Sequence, residues 1–291
     1  MNIAINPVLA SLGPLAIRWF GLLALVGLGV AIWGSLHELD RQRLGRKLPL
    51  DALAWGLPIG LIAARLVHVL GYWDYYLTNS SELLKLNIDG LSLWGGLVGG
   101  GLVVAARLKR DPLRRRRILD AVVPYAALGI AVGRFGEFLE GRGQGPVSSL
   151  PWATQYTNAL AATPDFGVAR QPAQLYDLLL AVALFFVLRA IPRAVPAGTR
   201  TALFLVGYAV ARVALGTVRL DPAFLFGLQI EQMLALGTMV FGLVFGLRPL
   251  VHVQERRMAP RLEPGRQPHT LGTAVYESGL PPVRGSRSRA E

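Results

Sequence analysis

No cysteine occurs among the 291 residues. Disulfides, thiolate metal sites and a cysteine nucleophile are therefore excluded. Histidine is scarce as well, and His37, His68, His252 and His269 stand far apart, with no clustering at metal-ligand spacing. Neither a metal nor any other cofactor is expected. Charge is thin: 16% of residues are charged, against about a quarter in ordinary globular domains. What remains is apolar, with 53% hydrophobic residues and a mean hydropathy of +0.43. The apolar residues gather into blocks of roughly twenty, the length a helix needs to cross a hydrocarbon core of about 30 Å. A water-soluble chain is excluded, and an all-α polytopic membrane protein is expected.

Seven spans are read at 15–36, 52–73, 91–106, 118–139, 172–191, 201–220 and 228–247. Of the 30 lysines and arginines, 22 then fall on one side of the membrane, in the loops 37–51, 107–117 and 189–200 and after residue 247. Only Lys85, Arg142 and Arg170 fall on the other. By the positive-inside rule the amino end is outside and the carboxyl end cytoplasmic. The first span lacks a basic n-region and a small-residue cleavage site, so it is expected to remain as a crossing. The organisation expected is a transmembrane domain over 1–250, an outer loop over 140–171, and a basic, disordered cytoplasmic tail over 251–291. The net charge of +12 concentrates where loops meet the cytoplasmic leaflet, which suits anionic lipid and not nucleic acid.

Arg18, Arg65, Arg134, Arg212 and Arg219 lie within apolar spans. A charge at the bilayer centre costs roughly 2.5 to 3.5 kcal/mol on insertion scales, so these side chains require partners. Arg18 and Arg219 sit near span ends and can snorkel. For Arg65, Arg134 and Arg212 two readings stand open. One is an internal ion pair with Glu137, Glu140, Asp177 or Glu231. The other is convergence on a phosphate arriving from within the membrane, which guanidinium suits because its donor fork matches phosphate oxygens and its charge persists away from water. The segment 133–145 holds five glycines and reads either as a helix end or as a loop whose amides approach a ligand. Gly95, Gly96, Gly99 and Gly100 form overlapping small-xxx-small spacings and are read as helix packing.

The segment Gly133-Arg134-Phe135-Gly136-Glu137-Phe138-Leu139-Glu140-Gly141-Arg142-Gly143-Gln144-Gly145 resembles the signature of the prolipoprotein diacylglyceryl transferases, Gly-Arg-x-Gly-Asn-Phe-x-Asn-Gly-Glu-x-Trp/Tyr-Gly. Further blocks agree in order: Ile17-Arg18-Trp19-Phe20-Gly21, Ala64-Arg65-Leu66, Gly90-Leu91-Ser92-Leu93-Trp94-Gly95-Gly96, Arg170-Gln171-Pro172-Ala173-Gln174-Leu175-Tyr176-Asp177, and Tyr208 with Arg212. The resemblance covers roughly residues 12 to 247.

It implies a bacterial cytoplasmic (inner) membrane enzyme that moves a diacylglyceryl group from phosphatidylglycerol to the lipobox cysteine of a preprolipoprotein, releasing glycerol 1-phosphate. On that reading Arg134 and Arg212 hold the phosphate, Arg65 and Arg219 support the site or its gate, and Gly133, Gly136 and Gly145 bring backbone to the headgroup. Phe20, Trp94, Gln174 and Tyr176 are carried over as substrate-binding positions. The chain departs from the family pattern at several polar positions. Trp94 replaces a histidine, Phe20 a tyrosine, His68 a tyrosine, Glu137 and Glu140 two asparagines, and Arg142 and Gly216 two glutamates. The proton acceptor then falls to Glu137 or His68. Two other classes stay open: a phospholipid-binding paralogue without catalysis, and an anion or lipid transporter. The transporter reading lacks the duplicated half common in secondary transporters.

Overall fold

The computed structural model describes residues 1–12, 15–83, 91–108 and 111–258, and of 248–258 only the backbone. The chain divides into two units, Met1–His252 and Val253–Glu291, and the first carries all that follows. From residue 259 the expected tail lies outside the described residues, as does much of the 79–91 connection.

The chain is mostly helical, with the helices α1 (Trp19–Arg41), α2 (Lys47–Gly71), α3 (Trp73–Thr78), α4 (Leu93–Arg107), α5 (Pro112–Glu140), α6 (Ala173–Ala190), α7 (Thr199–Gly216) and α8 (Ile230–Met258). Five of them, α1, α2, α5, α6 and the Ile230–Leu247 part of α8, are long and apolar enough to cross a membrane. The chain is thus a multi-pass membrane protein. α4 has 15 residues, about 22 Å of helix at 1.5 Å per residue, less than a full hydrocarbon core. α7 buries Arg200 and Arg212 along its length.

Several boundaries differ from the sequence reading: α2 begins at Lys47, α5 at Pro112, and α8 runs on to Met258, so residues 251–258 of the tail expected to be disordered are helical. Residues 15–18, read as the start of the first span, form a strand, Leu15–Arg18, antiparallel to Val8–Leu12. Short apolar runs of this kind have no periodicity that separates strand from helix. The sixth span was carried to 220, but α7 ends at Gly216, so Arg219 stands in the turn beyond it. A second small sheet pairs Asn2–Ile3 in parallel with Gln155–Tyr156 of the long loop between α5 and α6.

Close helix contact follows from glycine. A Cβ at Gly129 of α5 would lie 2.5 Å from the Gly27 carbonyl of α1. Between α4 and α2, a Cβ at Gly95 would lie 2.6 Å from the Ala63 carbonyl and one at Gly100 3.0 Å from that of Gly56. The packing reading of the α4 glycines therefore holds. Gly95→Leu is expected to force these helices apart; overpacking typically costs about 1–3 kcal/mol, and the neighbour here is backbone, which cannot turn aside. A lowered melting temperature in detergent would register this, whereas an unchanged one would mean that the contact is not close.

The ends of α5 are well defined. Asp111 caps the first turn by accepting from the Arg114 amide at 2.9 Å, and Gly141 closes the last with φ +79°, a conformation glycine adopts without strain. The long loop between α5 and α6 folds back on itself through paired Thr154 and Arg170 amides and carbonyls, at 2.9 and 3.0 Å. Between α7 and α8, Phe226 and Gly227 both have positive φ, +51° and +75°. For phenylalanine that region costs about 1–2 kcal/mol, and burying a phenyl ring returns roughly 1.5–3 kcal/mol.

Candidate functional site

α5, α6, α7, the turn after α7 and the first turn of α8 bring three arginines and four carboxylates into one connected chain. Arg134, 4% exposed, sits on the inner face of α5. Its Nη1 donates to Glu137 Oε1 at 2.6 Å, one helical turn on. Its Nε lies 2.8 Å from Asp177 Oδ2 of α6, and its Nη2 reaches the Tyr208 hydroxyl of α7 at 3.5 Å. The second oxygen of Glu137 lies 3.5 Å from Arg219 Nη1. Arg219 Nε in turn donates to Asp221 Oδ2 at 3.0 Å, and the same oxygen accepts from Arg212 Nη2 at 3.0 Å. Arg212 Nη2 also meets Glu231 Oε2 at 2.5 Å and Gln229 Oε1 at 3.3 Å. Ser92, the N-cap of α4, closes the chain by donating to Glu231 Oε1 at 2.8 Å.

Two consequences follow. With three guanidiniums against four carboxylates the network carries no formal excess of positive charge. An anionic ligand would be held there by directed N–H groups and not by net attraction. Second, the arginines are not equivalent. Arg134 makes hydrogen bonds at Nη1 and Nη2 and an ion pair, without a hydrogen bond, at Nε. Arg212 is 1% exposed, its hydrogen bonds gather on Nη2, and its Nε and Nη1 make no hydrogen bond among the described residues. Burial works to raise the Asp221 carboxyl, but Arg219 and Arg212 outweigh it and hold the group below its usual value. It is ionised at neutral pH.

Trp94, 2% exposed, stacks on Tyr208 with ring centres 5.4 Å apart, and Phe204 stacks on the other residue of that pair at 5.9 Å. Tyr208 lies one turn before Arg212 on α7, so Trp94 borders the network. Its indole Nε1 also has no hydrogen-bond partner among the described residues. His68 stacks on Tyr72 at 4.7 Å, and its charged neighbours are Arg65, Glu231, Arg142 and Asp221. It stands at the edge of the network with no carboxylate on its ring.

Not every residue singled out in the sequence joins this cluster. Arg65 turns away: its Nη2 donates to the Glu82 carbonyl at 2.7 Å and its guanidinium lies over the Tyr76 ring at 5.2 Å. It braces the end of α2 against the following turn. Gly133 and Gly136 are inside α5, so their amides serve the helix, and Gly136 lets α5 approach α1, where a Cβ would lie 2.9 Å from the Phe20 Cα. The Gly145 amide donates to the Gln171 carbonyl at 2.8 Å. Gln174 Nε2 donates to the Tyr156 hydroxyl at 3.3 Å, and the Tyr176 hydroxyl accepts from Trp152 Nε1 at 2.7 Å. Both residues hold the loop between α5 and α6 to α6.

The departures from the family signature compensate one another. Glu140 accepts from the Phe20 amide at 2.8 Å and pairs with Arg142 at 3.2 Å, while Arg142 covers the Phe20 ring at 5.0 Å. The negative and positive replacements thus satisfy each other. Gly216 leaves room for Gln232, whose amide would sit against any Cβ there. The sequence names Glu137, Asp177 and Glu231 as carboxylate partners, along with Glu140, which pairs with Arg142 instead; Ser92 and Tyr208 stand in the motif blocks without a role, and Asp221 and Gln229 are missed. The signal for Asp221 was its position two residues after Arg219 at a span end.

A sequence profile described as prolipoprotein diacylglyceryl transferase matches residues 7–248. A phosphatidylglycerol–prolipoprotein diacylglyceryl transferase of Streptococcus uberis is 29% identical over 245 residues, covering 83% of this chain and 94% of the relative. One of Streptococcus pneumoniae is 29% identical over 260 residues, covering 88% and 97%.

Proposed function

Because the chain belongs to the prolipoprotein diacylglyceryl transferase family, we propose that it transfers the diacylglyceryl group of phosphatidylglycerol to the lipobox cysteine of a prolipoprotein at the bacterial cytoplasmic membrane. The topology proposed with it has seven spans, α4 and α7 included, with the amino end outside and the carboxyl end inside. The observation that carries the reading is a buried arginine bearing unused donors, Arg212, within a family match that spans nearly the whole chain.

In the reaction the cysteine sulfur bonds to the glycerol carbon of the lipid, the bond from that carbon to the phosphate oxygen breaks, and the electron pair leaves with glycerol 1-phosphate. A thiol with a pKa near about 8.5 attacks as its thiolate, so its proton needs an acceptor. His68 suits this better than Glu137. Glu137 is gripped by Arg134 and Arg219, and protonating it would break both pairs. The leaving phosphate gains charge as the bond breaks, and donors already in place at Arg212 Nε and Nη1 stabilise it without reorganisation. Arg219 holds Asp221, one of the two carboxylates on Arg212, and Glu137 joins Arg219 to Arg134.

The test is direct. Purified chain is incubated with phosphatidylglycerol and a lipobox peptide, and the peptide mass is read. A gain equal to one diacylglyceryl group is expected; unmodified peptide beside retained phosphatidylglycerol would support the non-catalytic lipid binder instead.

A further inference from the structure

Between α7 and α8 the chain makes a tight hairpin. The Phe224 amide donates to the Leu228 carbonyl at 2.8 Å, the Leu228 amide donates to the Leu225 carbonyl at 2.9 Å, and Leu225 and Leu228 form an antiparallel bridge. Phe226 and Gly227 make the turn, both at positive φ, as a two-residue hairpin of the primed kind requires. Asparagine is the residue such a turn favours in water. Here the position holds phenylalanine, 89% exposed and flanked by the exposed Phe224 and Leu225. The strain of this conformation is smaller than what burying the ring would return, yet nothing among the described residues buries it.

The surroundings identify what does. The apolar crossing helix α8 begins at Ile230, four residues after Phe226, so the tip lies at the level where that helix meets the bilayer boundary. No charged residue stands between Asp221 and Glu231. The hairpin pairs backbone groups at 224, 225 and 228 but none of those at 226 and 227, which suits the hydrated boundary of the bilayer and not its hydrocarbon centre. Phenylalanine and leucine are side chains that interfacial segments bury at the boundary of headgroups and acyl chains.

We propose that the Phe224-Leu225-Phe226 tip inserts into the lipid surface beside α8 and so fixes the depth of the arginine network. The base of the hairpin is joined to that network on both sides. Asp221 bridges Arg212 and Arg219, and Gln229 meets Arg212 while its amide nitrogen donates to the carbonyls of Gly216, Arg219 and Asp221 at 3.1 to 3.2 Å. This inference does not depend on the transferase reading.

The absence of cysteine makes the test clean. The full chain carrying Phe226→Cys, and separately Ser149→Cys in the outer loop, is labelled with an environment-sensitive fluorophore and reconstituted in vesicles of phosphatidylethanolamine and phosphatidylglycerol. A tip at the interface predicts that iodide in the water quenches the 226 label about threefold less than the 149 label, and that a spin label on the lipid acyl chain quenches it more. Leu225→Cys serves as a second site should the turn residue itself prove intolerant of change. Equal iodide quenching at tip and loop would overturn the proposal. So would protection that appears only when an apolar lipobox peptide is added, since the peptide would then be the occupant.

Discussion

Arg134→Gln is expected to cost about 3–5 kcal/mol of stability, the range for removing one partner of a buried ion pair. Glu137 would retain Arg219, but Asp177, itself buried, would have no cation beside it among the described residues. Folded proteins are stable by only about 5–15 kcal/mol, so the loss is a large fraction of the whole. Adding Asp177→Asn should recover much of it, because a pair removed together leaves no buried charge alone. Thermal unfolding in detergent, read for both variants, checks this. If Arg134→Gln melts with the wild type while lipid binding is lost, Arg134 is a ligand residue and not the support described above.

Arg212→Lys is expected to do the reverse. A lysine ammonium can still pair with Asp221 and Glu231, so stability should change by no more than about 1 kcal/mol. It offers nothing in place of Nε and Nη1, the nitrogens that make no hydrogen bond among the described residues. Removing a donor aimed at developing charge typically lowers kcat by about 10²–10³, and turnover of a lipobox peptide should fall by that factor. Turnover within about threefold of wild type would assign leaving-group stabilisation elsewhere, because arginine and lysine are not interchangeable at a directional site.

The buried arginines were legible in the sequence because charge in an apolar block is costly wherever it falls, and that cost is local to the residue. The ion-pair reading describes Arg134, and at Arg212 ion pairs stand beside nitrogens that make no hydrogen bond among the described residues, the feature on which the phosphate proposal rests. The α4 glycines were legible because small-residue spacing repeats along one helix face. Asp221 and Gln229 were not, since their roles depend on how a turn folds back under α7, and no period in the sequence encodes that. Arg65 shows the opposite failure. It carries the same intramembrane charge as Arg134, but the turn at residues 80–83 supplies carbonyls that draw its guanidinium away from the cluster. The strand before α1 escaped notice because three apolar residues and an arginine fit either secondary structure.

The most direct test of the claim that Arg212 receives the lipid phosphate is the retention of phosphatidylglycerol by the purified chain, measured by native mass spectrometry beside the melting temperature. The wild type should carry the lipid, and Arg212→Lys should lose at least about tenfold of it, one bidentate charged contact's worth, while melting alike. Equal retention by the two chains would contradict the account.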